Sequence, residues 1–130
     1  MGQTVNQTPQ VRLPQMREQI ISAVHALSDP DHQRRVWIER QYPHPGYFDD
    51  LTLNTHILYD DTAVLDDPSA AIGTTLRDAS EAQAMQRLAD RLDEILDALK
   101  PETDDASYLG HPLWPGVVKA AAQAHAALIR

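Results

Sequence analysis

The segment from residue 47 to residue 67 constrains the fold most, because it combines a regular alternation of side chains with the densest charge in the chain. Across residues 51–59, mostly apolar positions alternate with mostly polar ones, a period of two that is typical of a half-buried strand. Asp60 and Asp61 supply a polar turn, and residues 62–65 then have the composition of a returning strand. The segment therefore predicts a β-hairpin.

A third strand and several helices are predicted around this hairpin. Residues 71–76 contain Ile and Thr, which favour a strand, and the short connection to the hairpin predicts an antiparallel arrangement. Apolar periodicity and capping residues predict four helices, which begin near Pro14, Pro30, Ser80 and Pro115. The apolar residues of the segment 35–41 are bunched, so this segment fits a strand as well as a helix.

The predicted fold class is therefore α+β, in the order α-α-β-β-β-α-α. A small three-stranded antiparallel meander would pack against about four helices, since a sheet of this size needs an apolar cover. A chain of 130 residues fits one domain. We expect residues 1–13 to be a disordered leader, because they are polar and lack periodicity, and residues 14–130 to form the single α+β domain.

The charge distribution indicates the class of partner. The chain has 19 acidic residues against 11 Lys and Arg and a net charge of −8, which argues against general binding of nucleic acids or anionic membranes. No Lys or Arg occurs between residues 41 and 76, whereas three pairs of aspartates do: Asp49, Asp50, Asp60, Asp61, Asp66 and Asp67. The segment predicts an acidic patch that binds a basic protein partner.

Composition also bears on compartment and chemistry. The chain has no cysteine, which excludes disulfides, thiol catalysis and thiolate metal sites and fits a cytoplasmic protein. The first residues lack the apolar core of a signal peptide, and no apolar run approaches the roughly 20 residues of a membrane span. Only Lys100 and Lys119 are lysines, and we associate this bias towards arginine with GC-rich bacterial genomes. We expect a cytoplasmic bacterial protein without a cofactor.

The aspartate pairs also suggest a catalytic alternative. Side chains suited to a divalent-cation site or to acid–base catalysis occur at Asp49, Asp50, His56, Asp60 and Asp61. Their spacing matches neither an EF-hand loop nor an H-E-x-x-H helix, and aspartates at the ends of elements often bond to nearby backbone amides instead. The sequence therefore leaves a metal unknown and assigns no catalytic residue.

Two tryptophans are candidates for a pocket or an interface. Trp114 lies between two prolines with His111 close by, and Trp37 is flanked by arginines. With His56, these residues are candidates for lining a binding pocket or a subunit interface. The alternative for Trp114 is a core position at the start of the last helix. The many alanines of that helix would allow close contact with a second copy, which predicts a homodimer as the structural alternative.

Four short motifs carry a resemblance: residues 16–19 (MREQ), 35–40 (RVWIER), 56–62 (HILYDDT) and 113–121 (LWPGVVKAA). They look like a family of small, acidic, functionally unassigned actinobacterial proteins, and the resemblance spans residues 14–130. It implies no catalytic residue and no ligand, since the family has none assigned. In size and charge the chain also resembles bacterial immunity proteins that neutralise basic nuclease toxins.

These features predict a non-enzymatic binding or regulatory protein that presents an acidic hairpin surface to a cationic partner. Neutralisation of a toxin, as by an immunity protein, is one form of this function. The first alternative is a metal-dependent or acid–base enzyme that uses the paired aspartates and His56. The second alternative is a homo-oligomeric structural protein.

Overall fold

A computed structural model describes residues 11–100 and 103–130 of the chain, and these residues lie in helices, turns and loops. The α-helices are α1 (Pro14–Ser28), α2 (Pro30–His32), α3 (Leu51–His56), α4 (Ala79–Ala98), α5 (Asp105–Leu109) and α6 (Trp114–Ile129). Two π-helical segments, Gln33–Ile38 and Ile57–Asp61, continue α2 and α3, and a 3₁₀ helix spans Pro68–Ala71. None of the helices described is long and apolar enough to cross a membrane.

The three long helices form the core. Helix α6 packs against both α1 and α4, and its alanines keep it close to its neighbours. The fully buried side chains of these helices include Ile20, Val24, Leu27, Met85, Leu88, Leu92, Ile95, Val117, Ala121 and Ala124. Each buried Leu, Ile, Val or Met side chain contributes roughly 1.5–3 kcal/mol to stability. Of the shorter elements, α3 and its π-helical extension contact α1, and the 3₁₀ helix contacts α4.

The predicted helices are present. Helices begin at Pro14 and Pro30 as expected, and the last helix begins at Trp114, one residue before Pro115. Helix α4 begins at Ala79 rather than beyond Ser80 because Asp78 is its cap, with an Oδ1 that accepts from the Glu81 amide at 3.0 Å. The ambiguous segment 35–41 is helical over residues 35–38, which belong to the π-helix Gln33–Ile38, whereas residues 39–41 lie outside it.

The predicted α+β fold is wrong, because the residues described contain no β-strand and the expected first strand is helix α3 with its π-helical extension. The Asp50 carboxylate caps this helix by accepting a hydrogen bond from the Leu53 amide at 2.8 Å. Leu51, Asn54 and Leu58 are buried at helical spacing, and α3 contacts α1. Leu53, which completed the apparent alternation, is 37% exposed.

The other two predicted strands are also absent. The Leu65 amide returns to the Leu58 carbonyl at 3.1 Å and closes a turn rather than a ladder. The Ala71 carbonyl accepts from the amides of residues 74, 75 and 76, so these residues turn back on themselves. A single isolated bridge joins Ile72 to Leu76. Local hydrogen bonds have therefore replaced the expected cross-strand pairs.

Both π-helical segments end in the same way. The Glu39 amide donates to the Arg34 carbonyl at 2.9 Å, and the Thr62 amide donates to the Ile57 carbonyl at 3.0 Å. The next residue in each case has a left-handed backbone, with φ of 56° at Arg40 and 55° at Ala63. Side chains with a Cβ are strained in this region, so each helix ends at a local cost in free energy.

A buried ionic cluster ties the core helices together. Glu81 is 0% exposed, and its carboxylate accepts from both guanidinium nitrogens of Arg17 at 2.8 and 2.9 Å. Arg77 adds its backbone amide at 2.7 Å and its Nε at 2.6 Å. Arg17 also donates to the Leu128 carbonyl at 2.8 Å, near the C-terminus of α6. The cluster thus joins α1, α4 and α6.

The expected leader falls largely outside the residues described, since residues 1–10 are not among them. The backbone amides of Arg12 and Leu13 donate to the carbonyls of Gly73 and Thr74 at 3.0 and 2.9 Å. Residues 12–13 are therefore bonded to the turn that precedes α4.

Replacing the left-handed Ala63 by glycine should stabilise the protein. Glycine adopts positive φ without steric cost, so Ala63→Gly should raise the free energy of unfolding by about 1 kcal/mol. The matched control is Ala126→Gly at an exposed position within α6, which should lower it by about 1 kcal/mol. Urea denaturation measures both changes. A loss of stability in both variants would contradict the left-handed geometry at Ala63.

Glu81→Gln should destabilise the fold and change its acid sensitivity. Burial alone would raise the pKa of Glu81, but hydrogen bonds from Arg17 and Arg77 lower it below its usual value of 4.5. The variant leaves the buried guanidinium of Arg17 and the half-buried guanidinium of Arg77 without their countercharge, which should cost about 3 kcal/mol.

The contribution of Glu81 to the stability of the fold should decrease as the pH falls. A carboxylate whose pKa is lowered on folding contributes its full stability above its unfolded pKa and loses it as the pH falls through the folded pKa. The stability difference between the protein and Glu81→Gln should therefore be constant above about pH 5 and shrink towards lower pH. A difference that stays constant through acid denaturation would contradict this account.

Candidate functional site

The Asp49 carboxylate is the centre of a buried polar network. It is 8% exposed and accepts hydrogen bonds from His32 Nε2 at 2.8 Å and from Trp37 Nε1 at 2.7 Å. The Asn54 side-chain amide donates to its other oxygen at 2.7 Å. The network joins α2, the first π-helical segment and α3, and thereby fixes the loop between them.

A cavity of about 530 Å³ lies beside this network, and we call it the aromatic–acidic cavity. It is lined by Trp37, Ile38, Arg40, Tyr42, Phe48, Asp49, Asp50, Thr52, Thr103, Asp104, Asp105 and Ala106. Apolar and aromatic residues come from the end of the first π-helical segment and from the loop that follows. Most of its carboxylates come from the start of α3 and the start of α5. The cavity therefore combines apolar surface with negative charge.

The loop of the cavity is built by aromatic contacts. The Tyr42 ring lies 5.9 Å from the Tyr47 ring and 6.2 Å from the Phe48 ring, measured between centroids. His44 adds an edge contact to Tyr47 at 5.7 Å. Gly46 has a φ of 89°, which lets the loop turn between these rings. The aromatic cluster holds Phe48 at the cavity although Phe48 is 57% exposed.

The carboxylates at the cavity influence one another. Burial raises the pKa of Asp105, and the charges of Asp50, Asp104 and Asp49 raise it further, against a hydrogen bond from the Leu51 amide that lowers it. Hydrogen bonds from Ser107 lower the pKa of Asp104. Asp105 is therefore repelled by three neighbouring carboxylates, and a cation beside it would relieve that repulsion.

The six aspartates of the predicted acidic patch occupy several places. Asp49 lies in the buried network, and Asp50 caps α3 beside the cavity. The Asp60 carboxylate lies 3.0 Å from His56 Nδ1 on an exposed face. Asp67 caps the 3₁₀ helix, and Asp61 and Asp66 are exposed. Within residues 11–100 and 103–130, no arginine or lysine forms an ion pair with any of the six.

A second group of carboxylates surrounds Tyr59. Its hydroxyl donates to Asp93 Oδ1 at 2.7 Å. Burial raises the pKa of Tyr59, and the charges of Asp93, Asp66 and Asp90 raise it further. The acidic surface therefore extends from the predicted segment onto α4, which the sequence alone did not indicate.

The residues of the catalytic alternative do not converge. Of the five candidates, Asp49 and Asp50 border the cavity, whereas His56, Asp60 and Asp61 lie on the exposed part of α3 and its extension. In the part of the chain that the structure describes, no three His, Cys, Asp or Glu side chains are placed to hold a metal ion. Asp49 is already saturated by three donors, which does not suit a general base.

The predicted pocket or interface residues separate into two environments. Trp114 is 4% exposed, and its Nε1 donates to the Oε1 of buried Gln33 at 3.0 Å. Its ring meets the Trp37 ring edge-on at 6.3 Å. His111 accepts from the Leu113 amide at 3.1 Å and serves the turn before α6. Of the four predicted residues, which also include the exposed His56, Trp37 alone borders the cavity.

Sequence reasoning missed several residues of the site. Tyr42 and Phe48 flank the loop with two prolines, and this run of aromatic residues in a short loop was a usable signal. Asp104 and Asp105 form a further aspartate pair, but they lie more than fifty residues from Asp50 in the sequence. Asp104 and Asp105 lie near Asp50 only because of the way α5 folds back, and their spacing in the sequence does not indicate this.

Comparison with known proteins identifies a family. A family model described as Domain of unknown function (DUF7945) matches residues 11–130, so the chain belongs to this family. The expected membership of a functionally unassigned family is thereby confirmed. The comparison with curated proteins and the comparison with solved structures each found no match.

Asp49→Ala should destabilise the protein, because three hydrogen-bond donors lose the carboxylate that accepts from them. The side chains of His32, Trp37 and Asn54 would lose their acceptor in a buried site, which should cost about 3 kcal/mol. The control is Asp60→Ala, which removes an exposed pair with His56 and should cost less than about 1 kcal/mol. Urea denaturation followed by tryptophan fluorescence measures both. Equal losses in the two variants would contradict the role of Asp49.

Proposed function

We propose that this member of an uncharacterised family is a non-enzymatic binding or regulatory protein whose acidic surface engages a basic protein partner. One observation carries the proposal. The aspartates of the segment 49–67 have no arginine or lysine partner among the residues described, although the chain has folded around them. Asp49 is buried, but the exposed carboxylates of the segment, such as those of Asp61 and Asp66, are available to an external cation.

The arginines that do form ion pairs support this argument. Arg34 and Arg35 pair with Asp31, and Arg34 also reaches Glu39. The remaining pairs are Arg17 and Arg77 with Glu81, and Arg91 with Glu94. Among the residues described, five arginines therefore pair with acids outside the segment, and none of these ion pairs neutralises an aspartate of the segment.

The proposed binding surface differs from the one that the sequence predicted. The hairpin does not exist, so the charges are carried by α3, its π-helical extension and the turn that follows. Helices and short turns still hold these carboxylates in fixed positions relative to the core. The geometry therefore supports docking on a helical surface.

Neutralisation of a basic toxin is one form that this function takes. Small size and a net charge of −8 suit such a role, since opposite charges accelerate association with a basic protein. The absence of cysteine supports a cytoplasmic location.

The two alternative functions rank lower for geometric reasons. A metal-dependent or acid–base enzyme needs convergent side chains, and the five candidates are divided between the cavity and an exposed helix face. A homo-oligomer was expected to use Trp114 or the alanines of α6. Trp114, Ala121 and Ala124 are buried within the core, so of these candidates only exposed alanines of α6, such as Ala122 and Ala126, are left for contact with a second copy.

Binding of a cationic probe should depend on salt and on the unpaired aspartates. The probe is a labelled peptide of alternating lysine and glycine, with the glutamate peptide as a negative control, and fluorescence anisotropy measures the affinity. Affinity should fall steeply between about 50 mM and about 500 mM salt, because the Debye length shortens over this range. The Asp61→Asn/Asp66→Asn double variant should bind about fivefold more weakly.

A matched double variant removes two acids that arginines already neutralise. Glu39→Gln/Glu94→Gln changes the net charge by the same amount at positions paired with Arg34 and Arg91. It should bind the lysine peptide nearly as well as the unaltered protein does. Equal weakening by both double variants, or binding that is indifferent to salt, would reject the proposed function.

A further inference from the structure

We infer that the aromatic–acidic cavity receives an arginine side chain of the basic partner. This inference rests on the proposed function, because it names the chemical group by which that partner docks. Long-range attraction brings a basic protein to the surface, whereas a cavity selects one side chain and sets the orientation of the complex.

One side of the cavity is apolar surface without a partner in the fold. Phe48 is 57% exposed and Ile38 is 40% exposed, and both border the same cavity. Large apolar side chains that gather at a concavity, rather than lying scattered, are typical of binding surfaces. Phe48 and Tyr42 both border the cavity, and aromatic rings attract a flat cation.

The acidic residues of the cavity have acceptor capacity to spare. Asp50 Oδ1 accepts from the Leu53 amide, Asp104 Oδ1 from the Ser107 amide, and Asp105 Oδ2 from the Leu51 amide. The second oxygens of Asp50 and Asp105 receive no hydrogen bond from any residue that the structure describes, whereas the Ser107 side chain also bonds to the Asp104 carboxylate. Two such oxygens beside an aromatic surface are complementary to a cation with several N–H donors.

Arginine fits this combination better than lysine does. Its guanidinium is planar, so it stacks on a ring with its face while its edge donates two parallel hydrogen bonds to a carboxylate. The lysine ammonium is a compact and strongly hydrated charge, so it has no flat face to stack on a ring and no pair of parallel N–H donors for a carboxylate. A cavity of about 530 Å³ has room for a guanidinium and the residues next to it.

Arg40 opposes the incoming cation. It borders the cavity and has a left-handed backbone. Four carboxylates line the same cavity, so the local charge stays negative with Arg40 present. Because Arg40 repels a bound cation, Arg40→Gln should strengthen the binding of an arginine peptide.

The experiment uses the full chain and a blocked pentapeptide with one central arginine between glycines. Lysine and norleucine versions of the peptide are compared by nuclear magnetic resonance titration of labelled protein. The arginine peptide should shift the resonances of residues 37–52 and 103–108, and it should bind more tightly than the lysine peptide. The norleucine peptide should bind at least about tenfold more weakly than the arginine peptide.

Variants separate the two sides of the cavity. Phe48→Ala should weaken the arginine peptide about fivefold, whereas Ile129→Ala, at another exposed apolar side chain, should leave it unchanged. Asp50→Asn/Asp104→Asn should weaken it by a similar factor and remain folded, because asparagine caps helices as well as aspartate does. An unchanged affinity in Phe48→Ala, or equal binding of norleucine, would overturn the inference.

Failure of the inference and failure of the proposed function give different results. Salt-dependent binding of the lysine peptide that responds to Asp61→Asn/Asp66→Asn, with no arginine shifts at the cavity, would overturn the cavity assignment alone. Cavity shifts with the arginine peptide, without salt-dependent binding of the lysine peptide, would overturn the acidic surface alone.

Discussion

The ion pairs of the buried Glu81 carboxylate hold the three core helices together. The carboxylate is held by Arg17 and Arg77, and Arg17 continues to the last turn of α6 through the Leu128 carbonyl. A charge taken out of water is tolerated only when its partners are complete, so this cluster specifies one arrangement of the core helices. Apolar burial supplies the stability of the core, while the cluster sets its register.

The second network, around Asp49, turns this scaffold into a surface with a defined shape. It connects α2 and α3 through a carboxylate that accepts from His32, Trp37 and Asn54. The loop between these helices has little regular structure, yet its ends are fixed and its aromatic rings pack on each other. A preorganised loop loses less entropy when a ligand binds, which suits a recognition site.

The sequence revealed the long helices because their caps and apolar spacing agree with each other. It failed at α3, since the same residues satisfy an alternation of two and a helical spacing at Leu51, Asn54 and Leu58. The cap made by Asp50 could have decided the matter, but a pair of aspartates has many other uses. The cavity could not be predicted from the sequence, because it forms only where Asp104 and Asp105 lie beside residues 37–52, which are distant in the sequence.

The wide turn at residues 33–38 has a consequence for which insertions and deletions the chain tolerates. A π-helical turn is what remains when one surplus residue is absorbed into an ordinary α-helix. Removing a single residue from this segment would restore regular α-helical winding with little rotation of the residues beyond it, whereas the same removal within the α-helical winding of α4 would rotate the following residues by about 100°. The length of the chain can therefore change by one at this turn without altering the direction of the loop of the cavity, provided that Trp37 keeps its hydrogen bond to Asp49.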